Sequence, residues 1–279
     1  MIGASGLVGA ALLAHLGASA VGTYRTRVRH GLRYLDAADE IAVGALLSEV
    51  RPSVIYFPAA QPDVEWCETF PEEAQRQNLG PLRATLAAAA GIPVVAYSTD
   101  YVFDGIAGEY GEDDPPAPIN EYGRIKRELE RLVRAAGGTV VRTTGVFGSE
   151  SEPPKNFVLR LIASLRHGDR VRAPSDQLAN PTWAPDLAAA SVAIARTGEV
   201  GVWHVTGPEA LSRDAFARLV AAVFELDPSL IEAVATSQLG QVAPRPLHTS
   251  LRRDRYRARF GEEPVRPPRE GLLALRARM

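Results

Sequence analysis

Short apolar runs alternate with helical patterns through the first half of this 279-residue chain, and that rhythm limits the fold more than any other feature. Residues 19–24, 32–35, 53–57 and 93–97 have the length and composition of strands, the last reading Pro-Val-Val-Ala-Tyr. Between them, residues 10–16, 37–50 and 71–90 carry helical patterns, with Asp36 placed to cap the second. A further helix over 122–136 and a strand over 139–142 follow. Strands separated by helices are joined by crossovers, so they run parallel and are covered on both faces. The expectation is an α/β fold with a Rossmann-like, doubly wound parallel sheet. After Gly148 the rhythm changes: a helix over 156–166, a strand over 168–173, a loop over 176–183, a helix over 185–196 and a strand over 201–205. Ser212 is placed to cap another helix through Phe224, and a basic, proline-interrupted tail follows. We expect a larger domain over 1–147, a smaller one over 148–279, and a partial return of 178–205 to the first.

Gly3-Ala4-Ser5-Gly6-Leu7-Val8-Gly9 runs directly into the first helical pattern. Glycines so spaced let a backbone turn sharply and approach a pyrophosphate at a helix N-terminus, where amides and dipole favour anions. Gly3, Ser5, Gly6, Leu7 and Val8 are thus candidate contacts to a dinucleotide, although small-residue packing explains many such loops. Arg25 and Arg27 end the next strand, where an acidic residue would suit a ribose hydroxyl and arginine suits a 2′-phosphate. That favours NADP(H) over NAD(H). Asp36 can lie beside the adenine as well as cap a helix, and Ala59 and Ala60 are small enough for backbone to lie against a flat cofactor. Only Met1-Ile2 precede the loop, whereas a strand needs about five residues. The first strand looks truncated, and further apolar residues are expected upstream.

Thr99 ends the apolar run at 93–97, and Tyr122 and Lys126 open the helix beyond an acidic, proline-rich loop. Four residues apart, Tyr122 and Lys126 share one helix face. A cation beside a phenol favours its ionised form, so the expectation is a tyrosine of lowered pKa that exchanges a proton near neutral pH. The chain has two lysines, Lys126 and Lys155, against 29 arginines. With so few, chance would supply roughly 0.06 such tyrosine–lysine pairs. An ammonium and a guanidinium do not interchange at a site, so a lysine in this company is informative.

Composition excludes several alternatives. A net charge of −2 gives no electrostatic case for nucleic acid or an anionic membrane. Cys67 is the single cysteine and the five histidines are scattered, so no disulfide framework or histidine–cysteine metal site is expected. Glu109, Glu112, Asp113 and Asp114 could hold Mg2+ near a diphosphate, or form a solvated loop. No stretch is apolar and long enough to span a bilayer and no signal peptide opens the chain, so a reducing cytoplasm is expected.

With these motifs in hand, the chain resembles the extended short-chain dehydrogenase/reductases and, within them, the dTDP-4-dehydrorhamnose reductase family. The resemblance rests on the glycine loop, residues 98–105, Tyr122 with Lys126, residues 142–148, Lys155-Asn156-Phe157, residues 176–183 and Arg245-Pro246. It implies a catalytic triad of Thr99, Tyr122 and Lys126, the last two also touching the cofactor, and NADPH-dependent reduction of a nucleotide-linked 4-keto sugar. It further implies substrate contacts at Asp100, Val102, Phe103, Asn156, Gln177, Thr182 and Arg245, and admits a homodimer. The chain departs from the family at Pro58, where asparagine is usual, and near Gly145, where an aromatic is usual. Loop 61–68 is similar instead to that of methionine adenosyltransferase beta subunits, which regulate without catalysing. A cofactor-binding regulatory protein and a sugar-nucleotide epimerase or dehydratase are the alternatives.

Overall fold

The computed structural model describes residues 1–279 except 90, 151–155 and 262–264, so Lys155 lies outside the described residues. Helix α1 (Leu7–Leu16) is followed by β1 (Thr23–Tyr24), β2 (Arg33–Tyr34), α2 (Glu40–Val50), β3 (Ile55–Phe57), α3 (Val64–Thr69) and α4 (Pro71–Ala88). Then come β4 (Val94–Thr99), α5 (Glu121–Ala135), β5 (Thr139–Thr143) and β6 (Val146–Phe147). The second half adds α6 (Phe157–His167), β7 (Val171–Pro174), β8 (Leu178–Ala179), β9 (Thr182–Trp183), α7 (Ala184–Thr197) and β10 (Gly201–His204). It ends with β11 (Leu211–Ser212), α8 (Arg213–Phe224), β12 (Ile231–Val234), α9 (Asp254–Phe260) and α10 (Pro268–Arg276).

A four-stranded parallel sheet, ordered β10-β5-β4-β3, forms the centre, with β10 from the second half paired on β5. Side chains alternate across it. Val94, Ala96 and Val140 pack under α2, α4 and α5, while Val95, Tyr97, Val141 and Trp203 face α1 and α7. Helices on both faces are the doubly wound arrangement expected from the alternation. Beside the sheet, β1 and β2 make a short parallel pair. Met1 and Ile2 bridge the two: Ile2 N–H donates to Tyr56 O at 3.0 Å and Thr23 N–H to Met1 O at 3.0 Å. A separate apolar cluster joins Phe147, α6, Trp183, α8 and α10 in the second half. Among the described residues, no helix is long and apolar enough to cross a membrane.

Several boundaries differ from expectation for local reasons. The cap of α2 is Asp39, whose carboxylate accepts from Ala42 N–H at 3.0 Å; Asp36 instead closes a turn on Ala38 N–H. The expected loop at 61–68 contains α3, because Asp63 caps it by accepting from Trp66 N–H. Gly168 adopts a left-handed conformation that ends α6, delaying the next strand to Val171. The expected loop over 176–183 carries two short strands, β8 and β9. The tail is stitched into this framework: His248 N–H donates to Gly105 O, Thr249 N–H to Leu178 O and Arg252 N–H to Tyr110 O, each at 2.9 Å.

Candidate active site

The carboxyl end of β4 delivers Thr99 and Asp100 into a cleft of about 180 Å³, and the first turn of α5 delivers Tyr122. Asn120 caps α5 by accepting from Gly123 N–H at 2.8 Å and anchors it by donating to Pro244 O at 2.9 Å. Gly123 is required here, since a Cβ would lie 2.1 Å from Tyr101 O. That closeness sets the Tyr122 ring edge-on to Tyr101, centroids 6.3 Å apart.

Lys126 follows one turn later, buried, its Nζ donating to Tyr97 O at 3.0 Å and lying 5.8 Å from the Tyr122 ring centroid. Burial pushes its pKa down to about 8, while Cys67 and Glu130 pull it upward. The tyrosine departs from expectation. Burial, followed by the charge of Asp100, pushes the Tyr122 phenol up, not down. Desolvation outweighs the help of the ammonium, which donates to the Tyr97 carbonyl, and a carboxylate shares the cleft. A phenol shifted this way keeps its proton at neutral pH, as a general acid must.

Asp100 is 3 % exposed and its carboxylate is held by hydroxyls. Thr99 Oγ1 donates at 2.9 Å, and Thr249 Oγ1 donates from the tail. Burial raises the Asp100 pKa, opposed by Thr249, Thr144 and Thr99. Behind this floor, Glu130 accepts from Ser98 Oγ at 2.6 Å and from Arg142 Nε and Nη2 at 2.8 and 2.7 Å, all out of solvent. His204 lies 3.2 Å from Arg142 Nη1, and burial followed by that charge lowers its pKa to about 3. The wall is thus a fixed ionic frame with no histidine titration near neutrality.

The glycine loop leaves the start of α1 without a side-chain cap. Gly3 has φ +93°, and a Cβ there would come within 2.7 Å of Ala59 Cα, so the loop and the Ala59–Ala60 segment pinch together. Gly6 immediately precedes that helix, and no acidic residue occupies the first turn, where Leu7 and Val8 lie. Ser5 is half-buried between them. Arg25 is exposed at the end of β1, whereas Arg27 Nη1 reaches Glu150 Oε1 at 3.5 Å. Asp36 is half-buried at the end of β2.

Of the expected substrate contacts, Asp100 and Gln177 line the cleft. Val102 and Phe103 do not; both are fully buried, with Phe103 stacked on Tyr110 at 4.2 Å and under Arg142 at 5.0 Å. Asn156 caps α6, accepting from Leu159 N–H at 3.2 Å and donating to Gly148 O at 3.2 Å. Thr182 Oγ1 donates to Asn180 O and accepts from Gly207 N–H, wholly buried. Arg245 donates to Glu65 Oε1 at 2.6 Å. These five positions form the supports of the cleft instead of its surface. Tyr101, Thr144, Thr249 and Arg213 line it and were not anticipated. Among the described residues no group of three or more His, Cys, Asp or Glu could hold a metal; Asp114 accepts from Gly111 N–H, and Glu112 from His204 N–H.

Known proteins are similar to this chain in sequence and fold. A dTDP-4-dehydrorhamnose reductase of Streptomyces griseus is 33 % identical over 253 residues, covering 87 % of this chain and 82 % of the relative. The crystal structure of a dTDP-4-dehydrorhamnose reductase from Bacillus anthracis in complex with NADP superposes with a TM-score of 0.86 at 25 % identity, covering 100 % and 98 % of the two chains. Methionine adenosyltransferase 2 subunit beta of Xenopus tropicalis is 28 % identical over 263 residues, covering 89 % of this chain and 78 % of the relative. The RmlD substrate-binding domain family matches residues 1–277, nearly end to end, and this chain belongs to that family.

Proposed function

We propose that this chain is an NADPH-dependent reductase of a nucleotide-linked 4-keto sugar, of the dTDP-4-dehydrorhamnose reductase kind. The observation that carries the reading is geometric: Tyr122 and Thr99 line one cleft with Asp100, and a buried lysine lies one helical turn from the tyrosine. The NADP-bound Bacillus anthracis structure and the Streptomyces griseus relative support it.

NADPH, when bound, supplies the hydride that reduces the carbonyl. The glycine loop fits its pyrophosphate, because Gly3 and Gly6 leave the start of α1 open, and Arg25 is free to meet a 2′-phosphate. Gly3, Ser5, Gly6, Leu7, Val8, Ala59 and Ala60 form that side, with Asp36 toward the adenine. Tyr122 Oη donates its proton to the ketone oxygen as it becomes an alcohol, and Thr99 Oγ1 turns its single hydrogen from Asp100 to the same oxygen. Lys126 holds the cofactor ribose and its charge offsets the phenolate left behind. Asp100 and Gln177 orient the sugar. Residues 1–147 with β10 serve the cofactor and 148–279 the substrate, in a cytoplasmic setting.

The test is NADPH oxidation with a dTDP-4-keto-6-deoxy sugar. Tyr122→Phe should lower kcat by roughly two orders of magnitude or more while NADPH binding persists. Undiminished turnover would remove Tyr122 from the chemistry. Wild-type protein that binds NADPH and reduces nothing would favour the regulatory reading, to which the subunit-beta similarity points. Conversion of the sugar without net NADPH consumption would indicate an epimerase or dehydratase.

A further inference from the structure

We infer that Arg213 receives the diphosphate of the nucleotide sugar, and that Arg245 does not. The inference rests on the reading above and names the residue that would recognise the nucleotide half of the substrate. Among the described residues that line the cleft, Arg213 is the only cation, facing a floor that already holds the Asp100 carboxylate. A dianionic ligand entering such a cleft needs a fixed positive charge, and this is the one the walls offer.

Arg213 is built to offer it. Its own N–H donates to Gln177 O at 3.0 Å, and Ser212 caps α8 beside it by accepting from Ala215 N–H. The guanidinium carbon sits 4.9 Å over the Phe157 ring, which itself packs on Phe216. Stacking uses the face of a guanidinium and leaves its five in-plane N–H donors free for a planar, bidentate partner such as phosphate. Among the described residues no carboxylate pairs with it; the neighbouring Asp214 accepts from Ser212 Oγ at 2.6 Å. Burial and Asp100 raise the Tyr101 phenol, and both Arg213 and Arg245 pull against them, so what separates the two arginines is their partners.

Arg245 is the opposite case. Its side chain is 9 % exposed and bonded to Glu65 Oε1 at 2.6 Å, while Glu65 Oε2 accepts from Val242 and Ala243 N–H. That carboxylate neutralises the arginine and fastens the tail to α3. A diphosphate would have to displace an ion pair already made, in which the arginine is mostly buried and the carboxylate is half-exposed.

Calorimetric titration of dTDP and of thymidine into the full chain isolates the diphosphate, because the two ligands differ only there. Wild type should bind dTDP more tightly, and Arg213→Met should lower dTDP affinity by about tenfold or more while thymidine affinity holds. Arg213→Lys should recover part of the loss, and Arg245→Met should keep the wild-type preference for dTDP. Thermal melts and an NADPH titration of each variant confirm that it is folded. A dTDP preference unchanged in Arg213→Met, or lost in Arg245→Met instead, overturns the inference and leaves the reductase reading standing. Wild type that binds NADPH but not dTDP overturns both.

Discussion

Replacing Lys126 with methionine should abolish turnover and yet leave a protein at least as stable as the parent at pH 7. Methionine keeps the length and apolar character of the lysine stem and omits the ammonium. That ammonium is 4 % exposed, and burial lowers its pKa from 10.5 to about 8. At 1.36 kcal/mol per unit, keeping it charged inside the fold costs roughly 3 kcal/mol. Losing its hydrogen bond to Tyr97 O offsets about 1–3 kcal/mol of that relief. The variant should therefore lie between equal stability and about 2 kcal/mol of gain at pH 7. The sharper signature is in pH. Below the folded pKa of about 8 both states bind the proton and the cost is fully present. Between about 8 and 10.5 the unfolded chain still holds a proton that the folded chain has released, so parental stability climbs relative to the variant. Other titrating groups are common to both proteins and cancel in the difference. Urea denaturation of the pair at pH 7, 8, 9 and 10 measures it, and the variant's advantage should shrink and then reverse by about 3 kcal/mol in all. A difference that stays constant across that range would refute the claim that Lys126 is desolvated.

Two further outcomes follow from the same geometry. Arg25→Ala should erode the preference for NADPH over NADH by about tenfold, read by titrating both cofactors against wild type and variant; equal wild-type affinities would assign Arg25 another role. Arg142→Met should destabilise the fold by about 3–5 kcal/mol in thermal or urea melts, because it leaves Glu130 charged, buried and unpaired. Adding Glu130→Leu should recover part of that loss, and a double variant worse than the single one would contradict this account.

The sheet was legible because its strands are buried on both faces and therefore read as continuous apolar runs, as at Val94–Tyr97. The Tyr122–Lys126 pair was legible because helical spacing is local and lysine is scarce in this composition. The tyrosine's pKa was not, since its sign depends on where the ammonium points and on a carboxylate 22 residues earlier in sequence. Asp39 caps α2 where Asp36 was expected, because the Asp36 carboxylate closes the turn on Ala38 instead. Asn156 and Thr182 carry polar groups that a motif assigns to substrate and the fold uses on its own backbone. Arg213 gave no signal, because its importance depends on Glu65 having taken Arg245, a pairing across 180 positions.

The tail that stitches Thr249 onto Asp100 sets an order of events during synthesis. The acid and its third hydroxyl are separated by 149 positions. At about 5–20 residues per second, a ribosome needs roughly 7–30 s to cover that distance. In that interval β3, β4, α5 and β5 can pair and pack, because every contact among them lies upstream. The nascent chain therefore holds the paired central strands beside a carboxylate that still lacks one of its hydroxyl partners. The floor of the cleft is completed last, by a segment that arrives after the sheet that carries it has formed.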